Sequence, residues 1–432
     1  MTCTLPRVQT TDAMYRNKKV IVIGGGAAGM MAALFSARSG AEVTLLERNE
    51  KLGKKVYITG KGRCNVTNAS DMDQFMRCIY RNPRFMYAAF AQMDNMGVMA
   101  LMEELGVPLK QERGGRVFPV SDKASDIIGA LSRELRRLCV DVRFNTRVER
   151  LIIEDGACRG VFSEAGEKLF ADAVIVCTGG VSYPSTGSTG DGYRFAAEAG
   201  HRVNTAHPAL VPIETSESWP ANLMGLSLKN VRLNAYLSKG QKEKRIYSEQ
   251  GEMLFTHFGI SGPLVLTLSS LLPDDLSTVR LCIDLKPALD EQALDARLLR
   301  DFKAMSRKQL ISVMDGLEPH SLAEQILKLA GLSPAMPVNS VTSEQRRAIL
   351  GLIKNLPLTP MRLRDLNEAI ITRGGVDVKS IDPSTMGSRL IKGLFFAGEV
   401  IDVDAQTGGY NLQIAWSTGA LAGKSAAVGS DI

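Results

Sequence analysis

The chain has 432 residues, of which 45% are hydrophobic and 23% charged, and its formal net charge is +6. This length is too great for one simple core, so we expect two or three domains. The mild positive charge suits anionic cofactors and substrates but is not the concentrated basic face that nucleic-acid binding needs, so we expect no nucleic-acid partner. Because the sequence shows no apolar run of about eighteen residues and no export leader, we expect neither a membrane span nor export.

The cysteines favour a reducing compartment. They are odd in number, scattered, and without a Cys-x-x-Cys spacing: Cys3, Cys64, Cys78, Cys139, Cys158, Cys177 and Cys282. Such spacing predicts neither a disulfide framework nor a metal site. A cytoplasmic location fits this pattern best.

The first predicted elements are a strand, a glycine turn, a helix and a second strand that ends in an acid. The apolar run Lys19–Ile23 leads into Gly24, Gly26 and Gly29, and a second apolar run ends at Glu47. In a dinucleotide-binding unit these glycines allow the tight turn, the approach of a pyrophosphate and the packing of helix on strand. The acid accepts hydrogen bonds from ribose hydroxyls, and the helix N-terminus faces the phosphates. An ordinary α/β turn leaves Glu47 unexplained, so the pattern predicts dinucleotide binding.

The next part of the chain alternates between helix and strand patterns. A helix-rich stretch covers about 71–106, and an amphipathic helix precedes Cys139. Three short apolar runs between 147 and 171 are separated by Asp-Gly and Ala-Gly turns, which predicts a β-meander. The continuous apolar run Ala173–Cys177 is typical of a buried parallel strand.

Later segments change character twice. Residues 206–285 alternate in hydrophobicity and predict antiparallel β structure, whereas 289–355 predict three or four short helices. Strand patterns return at Ala369–Val376 and at Leu394–Glu399, and a glycine-led, alanine-rich helix ends the chain. The last strand and helix are expected to return to the nucleotide domain and complete its site.

This late segment favours a flavin over a nicotinamide. A flavin needs polar contacts along its ribityl chain, whereas a nicotinamide does not. Reduction also puts negative charge on the flavin ring, and a helix N-terminus such as the one after Gly409 stabilises that charge. A plain edge strand with a packing helix is the structural alternative.

Several long motifs carry a resemblance to a known family. They are Ile21–Gly29, Gly60–Asn68, Thr178–Pro184, Thr186–Gly192, Phe255–Pro263, Gly398–Asp404 and Thr407–Asn411. Over nearly its whole length the chain resembles the bacterial FAD-dependent oxidoreductases of the BaiN and aminoacetone oxidase type. The resemblance implies an α/β fold, with a Rossmann-like FAD-binding domain of the glutathione-reductase type interrupted by an antiparallel β-rich domain and a small helical domain. The expected bounds are 19–205 and 376–432 for the FAD domain, 206–288 and 356–375 for the β-rich substrate domain, and 289–355 for the helical insertion.

The resemblance also implies a set of residues that contact FAD. Those of the first half are Gly24, Gly26, Ala27, Gly29, Glu47, Arg48, Gly60, Lys61, Arg63, Cys64, Asn65, Val148, Thr178 and Gly179. Those of the C-terminal segment are Gly398, Glu399, Gly409, Tyr410, Asn411 and Leu412. Lys61 replaces a small residue that many relatives carry, and so adds a cation near the flavin. Cys64 has no partner cysteine at a redox spacing, which favours a buried structural thiol.

Two residues are candidates for a catalytic proton donor. His257 lies in a segment bounded by glycine and proline, and Tyr183 follows the turn after a predicted parallel strand. A histidine donates protons near neutral pH, and a tyrosine hydroxyl can protonate developing negative charge. Each is more often a structural side chain.

The leading hypothesis is an FAD-dependent oxidoreductase that moves a hydride between flavin N5 and a small organic substrate. No second glycine fingerprint follows a strand after residue 65, so NAD(P)H, if it is the electron donor, docks transiently. One alternative is an NAD-dependent dehydrogenase, against which the glycine-led C-terminal helix argues. The other is a flavin-dependent RNA-modifying or RNA-binding protein, supported only by the mild positive charge.

Overall fold

A computed structural model of the protein describes residues 17–240 and 242–428, so Cys3 lies outside the described residues. The described chain forms two compact units. The first unit contains the residues up to Ala206 and from Gly374 onward, and the second unit is His207–Arg373. The two points where the chain passes between the units fall within strands Val203–Ala209 and Ile371–Val376.

The helices and strands are numbered in chain order. The helices are α1 (Ala27–Arg38), α2 (Lys54–Ile58), α3 (Met72–Arg77), α4 (Tyr87–Gln92), α5 (Asn95–Glu104), α6 (Ala124–Arg137), α7 (Asp191–Glu198), α8 (Pro263–Ser269), α9 (Glu291–Ala304), α10 (Leu310–Met314), α11 (His320–Leu329), α12 (Ser343–Lys354) and α13 (Tyr410–Val428). The strands are β1 (Lys19–Ile23), β2 (Glu42–Leu46), β3 (Thr67–Asn68), β4 (Leu109–Gln111), β5 (Arg116–Pro119), β6 (Asp141–Arg143), β7 (Val148–Glu154), β8 (Ala157–Ser163), β9 (Lys168–Phe170), β10 (Ala173–Val176), β11 (Val203–Ala209), β12 (Ile213–Thr215), β13 (Ser227–Lys239), β14 (Lys242–Thr256), β15 (Gly259–Ser261), β16 (Val279–Asp284), β17 (Leu356–Leu358), β18 (Pro360–Leu363), β19 (Ile371–Val376) and β20 (Leu394–Phe396).

A parallel sheet in the order β20-β10-β1-β2-β6 is the centre of the first unit. Its register sets Ile23 beside Val176 and Leu46, and Val176 beside Phe396, so the carboxyl ends of four strands meet at one edge. The chain goes to opposite sides of β1 to form β2 and β10, which makes the end of β1 a topological switch point, where open α/β sheets bind ligands. The predicted buried parallel strand is confirmed as β10.

Helices α1 and α13 pack closely because glycines on α13 face the backbone of α1. A Cβ at Gly419 would lie 2.3 Å from the Ala28 carbonyl oxygen, and one at Gly423 would lie 2.2 Å from that of Ala32. These contacts leave no room for a side chain, so the C-terminal helix is fixed against the helix that follows the first glycine turn. The expected return of the C-terminal segment to the first unit is confirmed.

Two small antiparallel sheets complete the first unit. Strands β7, β8 and β9 form the predicted meander, in which Asp155 and Gly156 both have positive φ at the first turn. Strands β3, β5 and β4 form a second three-stranded sheet next to the loop that follows α2.

The second unit contains a seven-stranded sheet in the order β17-β16-β13-β14-β15-β12-β18, whose neighbours are antiparallel. This confirms the predicted antiparallel structure. The four helices α9 to α12 confirm the helical pattern of 289–355, and their buried side chains join the same hydrophobic cluster as the strands. The division of this unit into separate β-rich and helical domains, like the other expected domain bounds, stays a prediction. Among the described residues, no helix is both long and apolar enough to cross a membrane.

Candidate flavin-binding site

The glycine turn after β1 gives each glycine a different role. Gly24 has φ of 100°, and a Cβ there would lie 2.6 Å from the Cys177 carbonyl oxygen. A Cβ at Gly29 would lie 1.7 Å from the Gly24 carbonyl oxygen, so only glycine lets the helix pack on the turn. At Gly26 an added Cβ would meet no heavy atom within 4 Å. The space in front of Gly26 is therefore available to a ligand.

This space lies at the N-terminus of α1. Gly26 is the N-cap, no side chain caps the helix, and the first turn, from Ala27, carries no acid. The first N–H groups of a helix have no partner within the helix, and together with the helix dipole they attract an anion. A pyrophosphate fits both the charge and the open space.

Glu47 directly follows β2, beside this turn, and is only 6% exposed. Its carboxylate accepts hydrogen bonds from the Gly25 N–H at 2.7 Å, from the Asn49 N–H at 2.8 Å and from Asn49 Nδ2 at 2.7 Å. A carboxylate has about four acceptor positions, so one remains for a ribose hydroxyl. Asn49, whose two hydrogen bonds hold the Glu47 carboxylate in one orientation, was not indicated by the sequence.

Arg48 and Val148 lie beside the same acid. Arg48 donates to the Thr189 hydroxyl at 2.5 Å and to Asp191 at 3.3 Å, so its guanidinium is bound within the protein. Val148 begins β7 two residues after Thr146, whose N–H donates to the Glu47 carbonyl at 2.9 Å. This bond places the first residue of β7 near the end of β2, as an adenine contact requires.

The loop after α2 contains several of the predicted residues. Gly60 and Lys61 have φ of 58° and 59°, and the Lys61 side chain is exposed. The Arg63 guanidinium lies 4.0 Å above the Phe118 ring and donates to Glu112 at 2.8 Å, so its charge is already paired.

The next two residues of this loop are a buried thiol, Cys64, and an amide, Asn65, whose oxygen lacks a hydrogen-bond partner among the described residues. Burial raises the pKa of the fully buried Cys64 thiol to about 12, which supports a structural thiol and leaves almost no reactive thiolate at neutral pH. The Asn65 Oδ1 atom is buried without a hydrogen-bond partner among the described residues, and so is the Thr178 hydroxyl at the end of β10. These are polar atoms that a bound cofactor would satisfy.

Gly179 and Glu399 lie together at the ends of β10 and β20. A Cβ at Gly179 would lie 4.0 Å from Glu399 Oε2. Lys55 Nζ donates to Glu399 Oε2 at 2.7 Å and to the Ser182 Oγ at 2.6 Å, and Ser182 Oγ donates to Glu399 Oε1 at 2.9 Å. At Gly398, a Cβ would lie 2.7 Å from that of Ala28 on α1, so this cluster is adjacent to the glycine turn.

The C-terminal residues form the wall next to β3. Gly409 has φ of 101°, and a Cβ there would lie 2.4 Å from the Thr67 carbonyl. Burial raises the pKa of Tyr410 to about 12, so its hydroxyl stays protonated. The Asn411 side chain bonds to both the N–H and the carbonyl of Ala405 and so holds its own loop, and Leu412 is half-buried in the first turn of α13.

The two catalytic candidates belong to different units. Tyr183 is half-buried in the first unit with φ of 51°, in the segment that follows β10. His257 is exposed in the turn between β14 and β15 of the second unit, with its ring against Phe258. Their catalytic roles stay predictions. The described residues contain no group of histidine, cysteine and acidic side chains that could hold a metal ion.

Comparison with known proteins identifies the family. The family described as "HI0933-like protein Rossmann domain" matches residues 18–425. The chain belongs to this HI0933-like family. The resemblance derived from the motifs is therefore confirmed, and the protein is an FAD-dependent oxidoreductase with a Rossmann-type FAD-binding fold.

Two relatives of this HI0933-like protein match over nearly their whole length. A 3-dehydro-bile acid delta(4,6)-reductase of Clostridium scindens is 32% identical over 416 residues, which are 95% of this chain and 99% of the relative. A ribosomal RNA dihydrouridine synthase of Haemophilus influenzae is 31% identical over 92% of this chain and 96% of the relative. Among solved structures, a 3-ketosteroid delta1-dehydrogenase from Sterolibacterium denitrificans has a TM-score of 0.50 and 15% identity, and the match covers 95% of this chain and 100% of that one, which shows a shared fold.

The residues of the first unit fit FAD. The open N-terminus of α1 suits the pyrophosphate and Glu47 suits the adenosine ribose, while the buried polar atoms of Asn65 and Thr178 lack a partner among the described residues. The residues expected to contact FAD included neither Lys55 nor Ser182, which the structure brings to Glu399. A lysine and a serine carry no spacing signal of their own, because only the fold brings them to the same acid.

Proposed function

We propose that this HI0933-like protein reduces a carbon–carbon double bond conjugated to a carbonyl group. The observation that supports this reaction is the chemistry shared by two relatives of nearly full length. A delta(4,6)-reductase of a 3-dehydro bile acid saturates a double bond in conjugation with a ketone. Formation of dihydrouridine saturates the double bond of a uracil ring, which is also conjugated to a carbonyl.

The chemistry of such a substrate fits the site. FAD, when bound and reduced, supplies a hydride from N5. Addition of hydride to the far carbon of the conjugated bond leaves negative charge on the carbonyl oxygen, and the neighbouring carbon must then take up a proton. The protein must provide a donor for each need. We assign these roles to His257 and Tyr183 as the candidates to test, because an exposed imidazole can exchange protons with water and a phenol can donate to an enolate oxygen.

The test is a half-reaction under anaerobic conditions. Protein with bound FAD is reduced by light and a sacrificial donor, then mixed with a 3-oxo steroid acid that carries the delta-4,6 double bonds. We expect the absorbance of oxidised flavin to return in step with a product that has gained two hydrogens, as seen by mass spectrometry. The saturated analogue of the same steroid is the matched control and should leave the flavin reduced. If both steroids, as well as simple unsaturated ketones, leave the flavin reduced, the proposal is wrong for small molecules.

A second arm uses RNA as the substrate. The prediction that no nucleic acid binds remains untested, and the relative from Haemophilus influenzae gives a specific reason to test it. Unmodified ribosomal RNA is mixed with the photoreduced protein, and dihydrouridine is measured after digestion. Reoxidation of the flavin by this RNA, and not by the same RNA carrying dihydrouridine already, would place the protein among RNA-modifying enzymes.

The same preparation identifies the electron donor. Mixing the oxidised protein with NADH, NADPH or candidate amines under anaerobic conditions shows which of them bleaches the flavin. Bleaching by a nicotinamide supports a reductase with a transiently docked donor, whereas bleaching by an amine supports an oxidase. We also infer a reducing, cytoplasmic setting, since Cys139 is an exposed free thiol.

A further inference from the structure

His201 is buried in the first unit, and both nitrogens of its imidazole form hydrogen bonds. The residue is only 4% exposed. Nδ1 lies 2.8 Å from the Ser380 Oγ, and Nε2 lies 2.8 Å from the Ser388 Oγ. The ring packs edge-on against Phe396 in β20, with centroids 4.9 Å apart. The backbone N–H of His201 donates to the Ala196 carbonyl of α7 at 2.9 Å, so the side chain connects the end of this helix to a distant part of the chain.

The hydrogen bonds of the two serines assign the protonation state of the ring. The Ser380 Oγ donates its one hydrogen to the Asp377 carbonyl at 2.9 Å, so it can only accept from Nδ1, which must carry a hydrogen. The Ser388 Oγ accepts from the N–H groups of Leu390 and Ile391 at 3.1 Å and 2.9 Å, which fills its two acceptor positions. Its own hydrogen must therefore point to Nε2, which carries none. The ring is thus a neutral imidazole with its hydrogen on Nδ1.

Both serines belong to residues 377–393, called here the latch segment, which lies along the outer edge of β20. Strand β20 is the first strand in the order of the parallel sheet and so forms its edge. The Ser388 N–H donates to the Leu394 carbonyl at 2.7 Å, and the Phe396 N–H donates to the Met386 carbonyl at 3.1 Å. The latch segment therefore covers backbone groups that an edge strand would otherwise leave open. Because the residues that follow β20 pack on α1 beside the glycine turn, the position of β20 affects the FAD site.

We propose that His201 is a proton-sensitive latch: the neutral imidazole holds the latch segment across the edge of β20, and protonation of Nε2 releases this segment and speeds the loss of FAD. A hydrogen on Nε2 would face the Ser388 Oγ, whose acceptor positions are already filled. The imidazolium would also be a buried charge, which is far more costly than a buried neutral ring. FAD binding in the first unit is required for this role, whereas the identity of the substrate is not.

The surroundings of the ring offer no charge that would compensate a proton. Burial lowers the pKa of His201 and is the sole cause of the shift. The Asp382 carboxylate accepts from the Ser384 hydroxyl at 2.7 Å. The Arg389 guanidinium donates to the Ile381 carbonyl at 3.3 Å. Strand β20 has no charged residue, and those on α7, at the turn after it and on the latch segment are Asp191, Arg194, Glu198, Arg202, Asp377, Lys379, Asp382, Arg389 and Lys392. Within the described chain, none of these side chains bonds to the imidazole.

The direction of the pKa shift sets the direction of the switch. When the latch segment is open, His201 takes up a proton near its ordinary pKa of 6.5, whereas in the closed state it does so only at lower pH. The open state therefore binds more protons, and the closed state loses stability as pH falls below about 6.5. One proton taken up on opening raises the opening equilibrium by up to about tenfold for each pH unit, until the closed state itself titrates.

Hydrogen exchange and FAD release, both measured on the holoenzyme from about pH 7.5 to about pH 5, test the proposal. Exchange of the latch-segment amides is followed by mass spectrometry and corrected for the intrinsic pH dependence of exchange. FAD release is followed by flavin fluorescence after dilution. We expect both rates to rise as pH falls below about 6.5, by up to about tenfold for each pH unit.

Two variants remove the switch in different ways. His201→Gln has no titratable group, so both rates should lose this pH dependence. Ser388→Asp keeps an oxygen for the two backbone N–H groups that Ser388 binds, and it gives a protonated Nε2 a carboxylate acceptor. The latch should then stay closed at acid pH. His320→Gln is the matched control and should keep the wild-type slope, because His320 is exposed in the second unit, where its ring lies 2.9 Å from an Asp315 oxygen.

Equal slopes in the wild type and His201→Gln would overturn the proposal, as would a wild-type slope in Ser388→Asp. Exchange that accelerates at acid pH without faster FAD release would refute the link to the cofactor. If neither variant folds, nitrogen NMR of the histidine-labelled wild type decides. It should show one neutral imidazole with its hydrogen on Nδ1, whose titration coincides with the pH at which the two rates level off. A hydrogen on Nε2 of His201 at neutral pH, or a titration at a different pH, would contradict the latch.

Discussion

Gly26→Ala should weaken FAD binding and leave the fold intact. The Gly26 backbone has φ of −78° and ψ of −165°, which alanine adopts without strain, and the added Cβ meets no heavy atom within 4 Å. Because glycine is slightly better than alanine at an N-cap, the free energy of unfolding should change by no more than about 1 kcal/mol. The new methyl group occupies the space in which the pyrophosphate approaches the backbone. Overpacking of this kind costs about 1–3 kcal/mol, which corresponds to a roughly 5- to 150-fold rise in the FAD dissociation constant.

The assay combines FAD titration of the apoprotein with urea unfolding. Gly351→Ala is the matched control, because Gly351 lies within α12 of the second unit and its added Cβ also meets no heavy atom within 4 Å. In a helix interior this change should stabilise the protein by up to about 1 kcal/mol and leave FAD affinity unchanged. Wild-type affinity in Gly26→Ala, or equal loss of affinity in the control, would refute the assignment of the open space to the pyrophosphate.

Three further predictions concern stability and thiol chemistry. Gly29→Ala should lower the free energy of unfolding by about 3 kcal/mol or more, because its Cβ would lie 1.7 Å from the Gly24 carbonyl oxygen; a urea midpoint near wild type would contradict this. Burial raises the pKa of Glu318 from its usual value near 4.5 to about 7, so the folded state binds this proton more tightly than the unfolded state and stability falls as pH rises between these values. The full loss is about 3 kcal/mol, and urea titrations at several pH values should show that Glu318→Gln removes this slope. Iodoacetamide on the native protein should modify the exposed Cys139 and spare Cys64, whose pKa burial raises to about 12, and peptide mapping that finds Cys64 alkylated would contradict the structural role.

Most of the architecture of the first unit was predictable because its signals are local. The continuous apolar run at β10 and the turn at Asp155 identify their own structures from a few residues. Whether the second unit divides into a β-rich and a helical domain was harder to predict from the sequence. Its helices share one hydrophobic cluster with the sheet, and which apolar faces meet depends on long-range packing that periodicity does not encode.

Some residues of the candidate site were also predictable from a local motif, whereas the role of others depends on partners that are distant in the sequence. Gly24, Gly26 and Gly29 belong to one short turn with a recognisable spacing, so the motif alone indicated them. Arg63 is a different case: its expected cofactor contact stays a prediction, and the structure pairs its guanidinium with Glu112, which the loop motif does not contain. A charged residue in a motif can therefore serve the loop itself, and the geometry of its partners is needed to tell the two roles apart.

The parallel sheet explains why the site could be assembled from distant segments. Because strands β1, β2, β10 and β20 run in one direction, the residues that follow each strand share one edge regardless of their separation in sequence. The second unit is inserted between β10 and β20, so its size and composition can change without moving Glu399 relative to the glycine turn. Variation in substrate among relatives is then expected to concentrate in the inserted unit, while FAD binding depends on the sheet edge. An exchange of residues 207–373 with those of a relative should accordingly change which compound reoxidises the flavin and leave the FAD dissociation constant unaltered.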